Sequence, residues 1–475
     1  MRSFGRRRST EVDPAKGGSM ARPIAVNDTS ADAAPAKSIA DLLILPHSAP
    51  AEAPPAYSEG VENARNLVQP LLLDRIDVGV AAKLPREEIN RQIHSIAEEI
   101  LTEKKIRLNS VERRSLVEMI VNDMLGLGPI EPLLADDAIA DIMVNGPNKV
   151  YVERGGKLEL TPIRFRDNAH VMNIATRIVS KIGRRVDESS PLVDARLEDG
   201  SRVNIIIPPL AVDGPSISIR KFTKRKLNLD VMVSQNNLSP EMATVLKIAS
   251  RCRLNILISG GTGSGKTTLL NAISQMIDHG ERIVTIEDAA ELQLQQPHVV
   301  RLETRPSNLE GQGEVTIRDL VKNALRMRPD RIILGEVRGA EALDLLQAMN
   351  TGHDGSLGTL HANRPREALT RMENLVGMSG VTLPTYALRA QIASALDMIV
   401  QISRMRDGKR RITHIVEVVG TEGEIITTQE LFTYQFRKTD GEGELQGDFV
   451  SSGLRPHFLP RAEYFGLDKA LMAAM

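Results

Sequence analysis

Hydrophobic positions are sparse up to about Val61, then recur every three or four residues, and later alternate or gather in short apolar blocks. The first segment, residues 1–61, is rich in Ala, Pro, Ser and Asp and has no sustained period, which predicts a disordered tail. Over residues 62–124 the period is helical. Ile89, Ile93, Ile96, Ala97 and Ile100 fall on one face behind Pro85, Glu87 and Glu88, a helix-start signature. A second stripe, Leu116, Met119, Ile120 and Met124, follows Ser110, which is read as the N-cap, and stops at the Gly126–Pro129 turn. These stripes predict a small helical bundle.

Residues 125–223 read as α+β. Val150 to Glu153 and Lys157 to Leu160 flank Gly155-Gly156, a hairpin signal. Val171, Ile174, Ala175 and Ile178 make a helical stripe. In Ser216 to Phe222, Ile217 and Ile219 alternate with Ser216, Ser218 and Arg220, so one face of that strand is apolar. The polar stretch 224–239 reads as a linker. From 240 to 475, buried-type strands and helical stripes alternate, which predicts a largely parallel sheet covered by helices.

Composition narrows the function classes. Lys plus Arg (60) balances Asp plus Glu (61), so no global basic field advertises a nucleic acid. Aromatic residues are 3% of the chain and Trp is absent, which leaves little for base-stacking platforms. The single cysteine, Cys252, excludes an intramolecular disulfide and reads as a buried filler. No apolar run is long enough to span a bilayer, and the basic start MRSFGRRRST lacks the apolar core of a secretory signal. A cytoplasmic location is therefore expected.

Four segments carry the chemistry. The first, Gly260 to Thr268 (GGTGSGKTT), matches G-x-x-x-x-G-K-[ST] between a short apolar strand, Leu254 to Ser259, and the apolar start of a helix. Glycines in such a loop let successive N–H groups of Gly261, Thr262, Gly263, Ser264 and Gly265 turn toward phosphate oxygens, with the positive end of the helix behind them. Lys266 is placed for the β and γ phosphates, Thr267 for Mg²⁺, and Thr268 completes the loop, so ATP and Mg²⁺ are the expected cofactors. The second, Ile283 to Ile286, is an apolar strand ending in Glu287 and Asp288. Glu287 either orients water or the magnesium shell, or caps the next helix. In the third, Arg331 to Leu334, the strand ends in Gly335-Glu336, and Glu336 is the expected water-polarising acid. It follows a helix signed by Thr316 and Asp319. The fourth, Gly352 to Asn363, carries His361, a candidate reporter of the γ-phosphate.

The four segments, in this order, resemble the type II/IV secretion ATPase superfamily, where they are called Walker A, Asp box, Walker B and His box. LGLGPIEPLL (Leu125 to Leu134), IMVNGP (Ile142 to Pro147), SRVNIIIPPL (Ser201 to Leu210), SISIRKF (Ser216 to Phe222), ALDLLQAMNTGHDGS (Ala342 to Ser356) and TLHAN (Thr359 to Asn363) add to the likeness. The pattern is most similar to tight-adherence (Flp/Tad) pilus assembly ATPases of the CpaF type. Gly358 departs from it, since the family's His box commonly carries a small hydroxyl residue there. The resemblance implies an α/β RecA-like P-loop domain preceded by a sensor-like (PAS-like) α+β domain. It also implies a homo-hexameric ring that works as a motor on an inner-membrane pilus or secretion platform, with arginines lent to the nucleotide by the N-terminal domain. Arg202 and Arg220 lie in the matching segments. The alternative for both is an ordinary outward-facing strand arginine, and Arg301 and Arg305 are alternative donors. Two other readings of the whole chain stand beside the motor: a RecA-like nucleic-acid translocase and a nucleotide-regulated scaffold.

Overall fold

The computed structural model describes residues 59–75, 85–222, 227–307, 312–439 and 445–475, all within one compact unit from Glu52 to Met475. The expected tail lies outside the described residues except for its last three, which are already helical.

Three helices come first: α1 (Glu59–Arg75), α2 (Arg86–Glu103) and α3 (Ser110–Leu125). Ile89, Ile93, Ala97 and Ile100 of α2 bury against Val61, Val68 and Leu72 of α1 and Leu116 and Ile120 of α3. The cap of α3 corrects the sequence expectation. Asn109, not Ser110, accepts from the Val111 and Glu112 amides, and the Glu112 side chain returns a bond to the Asn109 N–H. Asn109 stands outside the helix with extended backbone, where its short carbonyl reaches two free donors, while Ser110 becomes the first helical residue.

After a 3₁₀ turn (Gly128–Ile130) and α4 (Glu131–Ala135), six strands form an antiparallel sheet: β1 (Ile139–Asn145), β2 (Val150–Arg154), β3 (Lys157–Leu160), β4 (Leu192–Arg196), β5 (Arg202–Ile206) and β6 (Ser216–Arg220). Their order is β3-β2-β1-β6-β5-β4. Helix α5 (Asn168–Ser180) covers one face, joining Val171, Ile174, Ala175 and Ile178 to Ile142, Val144, Ile217 and Ile219 in one core. The alternation read in β6 places Arg220 on the opposite, exposed face.

The stretch read as a linker is not all extended. Residues 223–226 lie outside the described ones, but Asn228 caps a short helix, α6 (Leu229–Ser234), which buries Leu229 and Met232. Beyond it come α7 (Pro240–Arg251), β7 (Ile256–Ser259), α8 (Lys266–Ser274), β8 (Ile283–Glu287), β9 (Val299–Glu303), α9 (Ile317–Ala324), β10 (Arg331–Leu334), α10 (Glu341–Asn350), β11 (Leu357–Leu360), α11 (Pro365–Gly377), α12 (Thr385–Ala395) and β12 (Met398–Arg404). The chain ends with β13 (Arg410–Glu422), β14 (Ile425–Thr439), β15 (Leu445–Ser451), α13 (Leu459–Tyr464) and α14 (Asp468–Ala474).

The nine strands order as β15-β14-β13-β12-β7-β11-β10-β8-β9. From β12 to β9 every pairing is parallel, whereas β13, β14 and β15 add on antiparallel. The parallel part matches its apolar composition. Ile256 and Ile258 of β7 enter one core and Leu257 the other, and Ile333 of β10 opposes Ile332 and Leu334 in the same way. A strand apolar on both faces needs cover on both, and the crossover helices supply it. Cys252 is buried in the first of these cores.

Candidate functional site

The carboxyl ends of β7, β8, β10 and β11 open on one edge of the sheet, and each of the four motif segments emerges there. In an open parallel sheet this edge is where a ligand sits. The loop after β7 is bent by Gly263 (φ 67°) and Gly265 (φ 97°), left-handed conformations that glycine adopts at little cost. Gly260 is fixed for another reason. A Cβ there would stand 2.4 Å from the Ile402 carbonyl oxygen and 2.5 Å from Ser264 Oγ.

Lys266 opens α8 and is buried, and its ammonium turns back onto the loop. Nζ donates to the carbonyls of Gly260 and Gly261, each at 3.1 Å, and lies 3.3 Å from His361 Nε2. Burial holds its pKa below the ordinary lysine range, while nearby Glu336 pulls the other way and Arg338 and Arg220 add to the lowering. The Arg220 guanidinium itself pairs with Asp141 of β1 at 3.2 Å.

Glu336 stands just past β10. Burial alone would raise its pKa, but the hydrogen bond and charge of Arg338, with His361 and Lys266, hold it below the ordinary value. Its Oε2 accepts from Arg338 at 2.6 Å. Its Oε1 is buried and lies 2.8 Å from His361 Nε2. An ionised carboxylate beside a lysine on a glycine-rich loop has the charge to polarise a water or an ion's water shell. Burial, then the Lys266 charge, lower the pKa of His361, which favours the neutral ring. The first N–H groups of α8 lack acceptors within the helix, and Thr267 and Thr268 are half-buried beside them. The loop thus fits a polyphosphate, and Thr267 offers a hydroxyl for Mg²⁺.

Glu287 is brought to the same edge but points inward. Its Oε1 accepts from the amides of Glu291 at 2.9 Å and Leu292 at 3.0 Å, and it is 3% exposed. No helix follows β8 for it to cap, and the carboxyl instead holds the turn that leads to β9. Desolvation drives its pKa up to about 7, against the lowering effect of those amides. Asp288, next to it, faces outward and pairs with Arg338 at 3.3 Å.

The other arginines divide. Arg202 bonds Glu291 Oε1 at 2.8 Å, and so meets the brace loop rather than Lys266. Arg305 donates to the Gly313 carbonyl, and Arg301 lies on the edge strand β9. Gly358 packs toward Leu345 and Val337, while the neighbouring Thr359 hydroxyl donates to the Gly335 carbonyl at 2.6 Å. Sequence reasoning missed Arg338, although its place two residues past Glu336 was a signal. It also missed Arg404 and Arg410, which flank the Asp407-Gly408 turn between β12 and β13. Arg410 Nε donates to the Gly263 carbonyl at 3.0 Å.

A family model described as type II/IV secretion system protein matches residues 123–434. The chain belongs to the type II/IV secretion system protein family. A putative conjugal transfer protein of Mycobacterium tuberculosis is 40% identical over 324 residues, 67% of this chain and 92% of that one. The type IV secretion system protein VirB11 of Bartonella quintana is 32% identical over 329 residues, 61% of this chain and 91% of that one. The crystal structure of the VirB11 ATPase from the Brucella suis type IV secretion system, in complex with sulphate, is 29% identical and covers 60% of this chain and 94% of that one, with a TM-score of 0.33. Among the described residues of this family member, no helix is long and apolar enough to cross a membrane.

Proposed function

We propose that the chain is a Mg²⁺-dependent ATPase that works as a homo-hexameric motor for a pilus of the tight-adherence (Flp/Tad, CpaF-type) kind or for a related secretion machine. The observation that carries the reading is the convergence of Lys266, Glu336 and His361 at the mouth of a glycine-rich loop. Lys266 is held on two loop carbonyls that a γ-phosphate would replace as its partner. Glu336 is ionised and stands beside Lys266 and His361, where it would orient an attacking water. His361, neutral and next to both, is placed to register loss of the phosphate. Thr267 would hold Mg²⁺, which supplies charge neutralisation on the β and γ oxygens. Glu287 braces the turn after β8, and we assign it that positioning role ahead of the magnesium shell. Arg220, which unlike Arg202 is not tied to the loop after β8, is the preferred arginine donor. Arg202 acts on the brace loop.

Phosphoryl transfer asks for positioned charge more than covalent chemistry, and these groups provide it. Work would come from closing the six-stranded sheet onto the nine-stranded one when ATP binds, and reopening after hydrolysis. The membrane platform of the pilus or secretion machine is the proposed docking partner, and no direct nucleic-acid contact is expected. A second reading, a motor of conjugal transfer, is favoured by the name of the Mycobacterium tuberculosis relative. The test is steady-state ATPase activity over a dilution series, with sedimentation in parallel. Specific activity should rise as a ring of six assembles. Full activity from a stable monomer refutes the ring, and nucleotide binding without turnover leaves a scaffold.

A further inference from the structure

We propose that Arg404 and Arg410 are nucleotide-phosphate ligands held in reserve by Glu153, so that phosphate arrival releases a latch between the two sheets. The inference rests on the P-loop reading and goes beyond it, because neither arginine lies in a motif segment.

The geometry begins at the loop apex. Besides its bond to the Gly263 carbonyl, Arg410 lies so near that a Cβ at Gly265 would stand 3.2 Å from its Cδ. A Cβ at Gly263 would stand 3.5 Å from Arg404 Nη1. Both guanidiniums therefore sit against the loop expected to wrap the phosphates. Each also reaches one oxygen of the same carboxylate. Arg404 Nη1 is 3.5 Å from Glu153 Oε2, and Arg410 Nη2 is 3.5 Å from Glu153 Oε1. Glu153 belongs to β2, in the other sheet.

The pairing is close enough to hold and long enough to exchange. At 3.5 Å both bonds exceed the usual length of a charge-assisted contact. Two cations share one carboxylate, which leaves positive charge over at a loop built for anions. A polyphosphate offers several oxygens in the fork geometry that guanidinium prefers, so it outcompetes a lone carboxylate. Two other arginines of this mouth are likewise held by carboxylates: Arg338 by Glu336 and Asp288, and Arg220 by Asp141.

The surroundings aim the two arginines and connect them to the other sheet. Asp407, in the turn between them, is tied down by Arg411 at 2.9 Å and by the Leu445 amide at 3.2 Å. The hairpin turn after Glu153 meets this turn backbone to backbone. A Cβ at Gly156 would lie 2.9 Å from the Gly408 carbonyl oxygen. Loss of the Glu153 pairing would thus free the hairpin at one defined point, so that the six-stranded sheet can shift as it closes onto the nine-stranded one.

The experiment titrates the full chain with Mg²⁺ and N-methylanthraniloyl-ADP, followed by fluorescence anisotropy at fixed ionic strength. Arg404→Ala should weaken binding about tenfold, the worth of one lost charged contact, and Arg404→Lys should weaken it less. Glu153→Gln should tighten binding about threefold or more, because the competitor is gone. In the double variant, Glu153→Gln with Arg404→Ala, the tightening should shrink, which a merely structural role for Arg404 would not produce. Unchanged affinity in Arg404→Ala, or no tightening in Glu153→Gln, overturns the latch. A wild-type chain that binds no nucleotide, or binds it as well with Lys266→Ala, overturns the P-loop reading itself.

Discussion

Glu287→Gln separates a brace from a catalyst, and its effect can be worked out from the structure. The Glu287 carboxyl is buried and accepts two backbone amides. Its pKa rises from the ordinary 4.5 to about 7, mainly through desolvation. The folded chain therefore keeps a proton that the unfolded chain releases in that interval. Stability falls with pH wherever the native state binds more protons than the unfolded one. The contribution of the neutral carboxyl is fully present below pH 4.5 and is lost as pH rises through about 7. The displacement corresponds to about 3 kcal/mol. Glutamine keeps the carbonyl acceptor and has no proton to lose. The variant should match wild type to within about 1 kcal/mol at pH 5 and exceed it by about 2–3 kcal/mol at pH 9. Urea denaturation at the two pH values measures the difference, which cancels the other titrating groups common to both proteins. A variant with an unchanged pH profile and abolished turnover would refute the reasoning and return Glu287 to the chemistry.

Other outcomes follow from single contacts. Arg331 is fully buried and makes a two-pronged pair with Glu281 at 2.7 and 2.8 Å, so Arg331→Met should cost about 3 kcal/mol by leaving the acid only Arg253 at 3.9 Å; a loss below about 1 kcal/mol in urea denaturation would show that the pair is dispensable. Asn109→Ala should cost about 1 kcal/mol, because the capping box of α3 opens, and thermal denaturation would detect it. Arg220→Ala should lower kcat about 10³-fold with little change in nucleotide Kd, since a donated arginine acts on the reacting state; equal losses in both would make it an ordinary binding residue.

The parts of the fold that sequence made legible are those where local chemistry decides. The β7, β8, β10 and β11 strands are apolar on both faces, and the loop glycines are spaced for a left-handed bend, so both were readable one segment at a time. The α9 cap is local too, with the Thr316 hydroxyl and Asp319 exchanging bonds across one turn. What was not readable depends on distant partners. The α3 cap is the exception, a local signal passed over: Glu112 three residues after Asn109 completes a capping box, whereas Ser110 has Arg113 at that place. The long antiparallel strands β13 and β14 mix buried and polar positions and carry no parallel-strand signature. The direction of the Glu287 side chain is fixed by the turn that follows it. Arg404 and Arg410 meet Glu153 across about 250 residues of chain, a pairing no local pattern announces.

The central claim is that Glu336 polarises the attacking water while Lys266 holds the phosphate. Glu336→Gln keeps the shape and the Arg338 contact but loses the charge, whereas Lys266→Ala removes the phosphate counter-charge. Measuring nucleotide Kd and steady-state turnover for both variants on one preparation tests the assignment directly. The account predicts that Glu336→Gln binds ATP about as tightly as wild type and hydrolyses it about 10²–10⁴-fold more slowly, while Lys266→Ala loses binding. Near wild-type turnover in Glu336→Gln, with Glu287→Gln inactive, would contradict it.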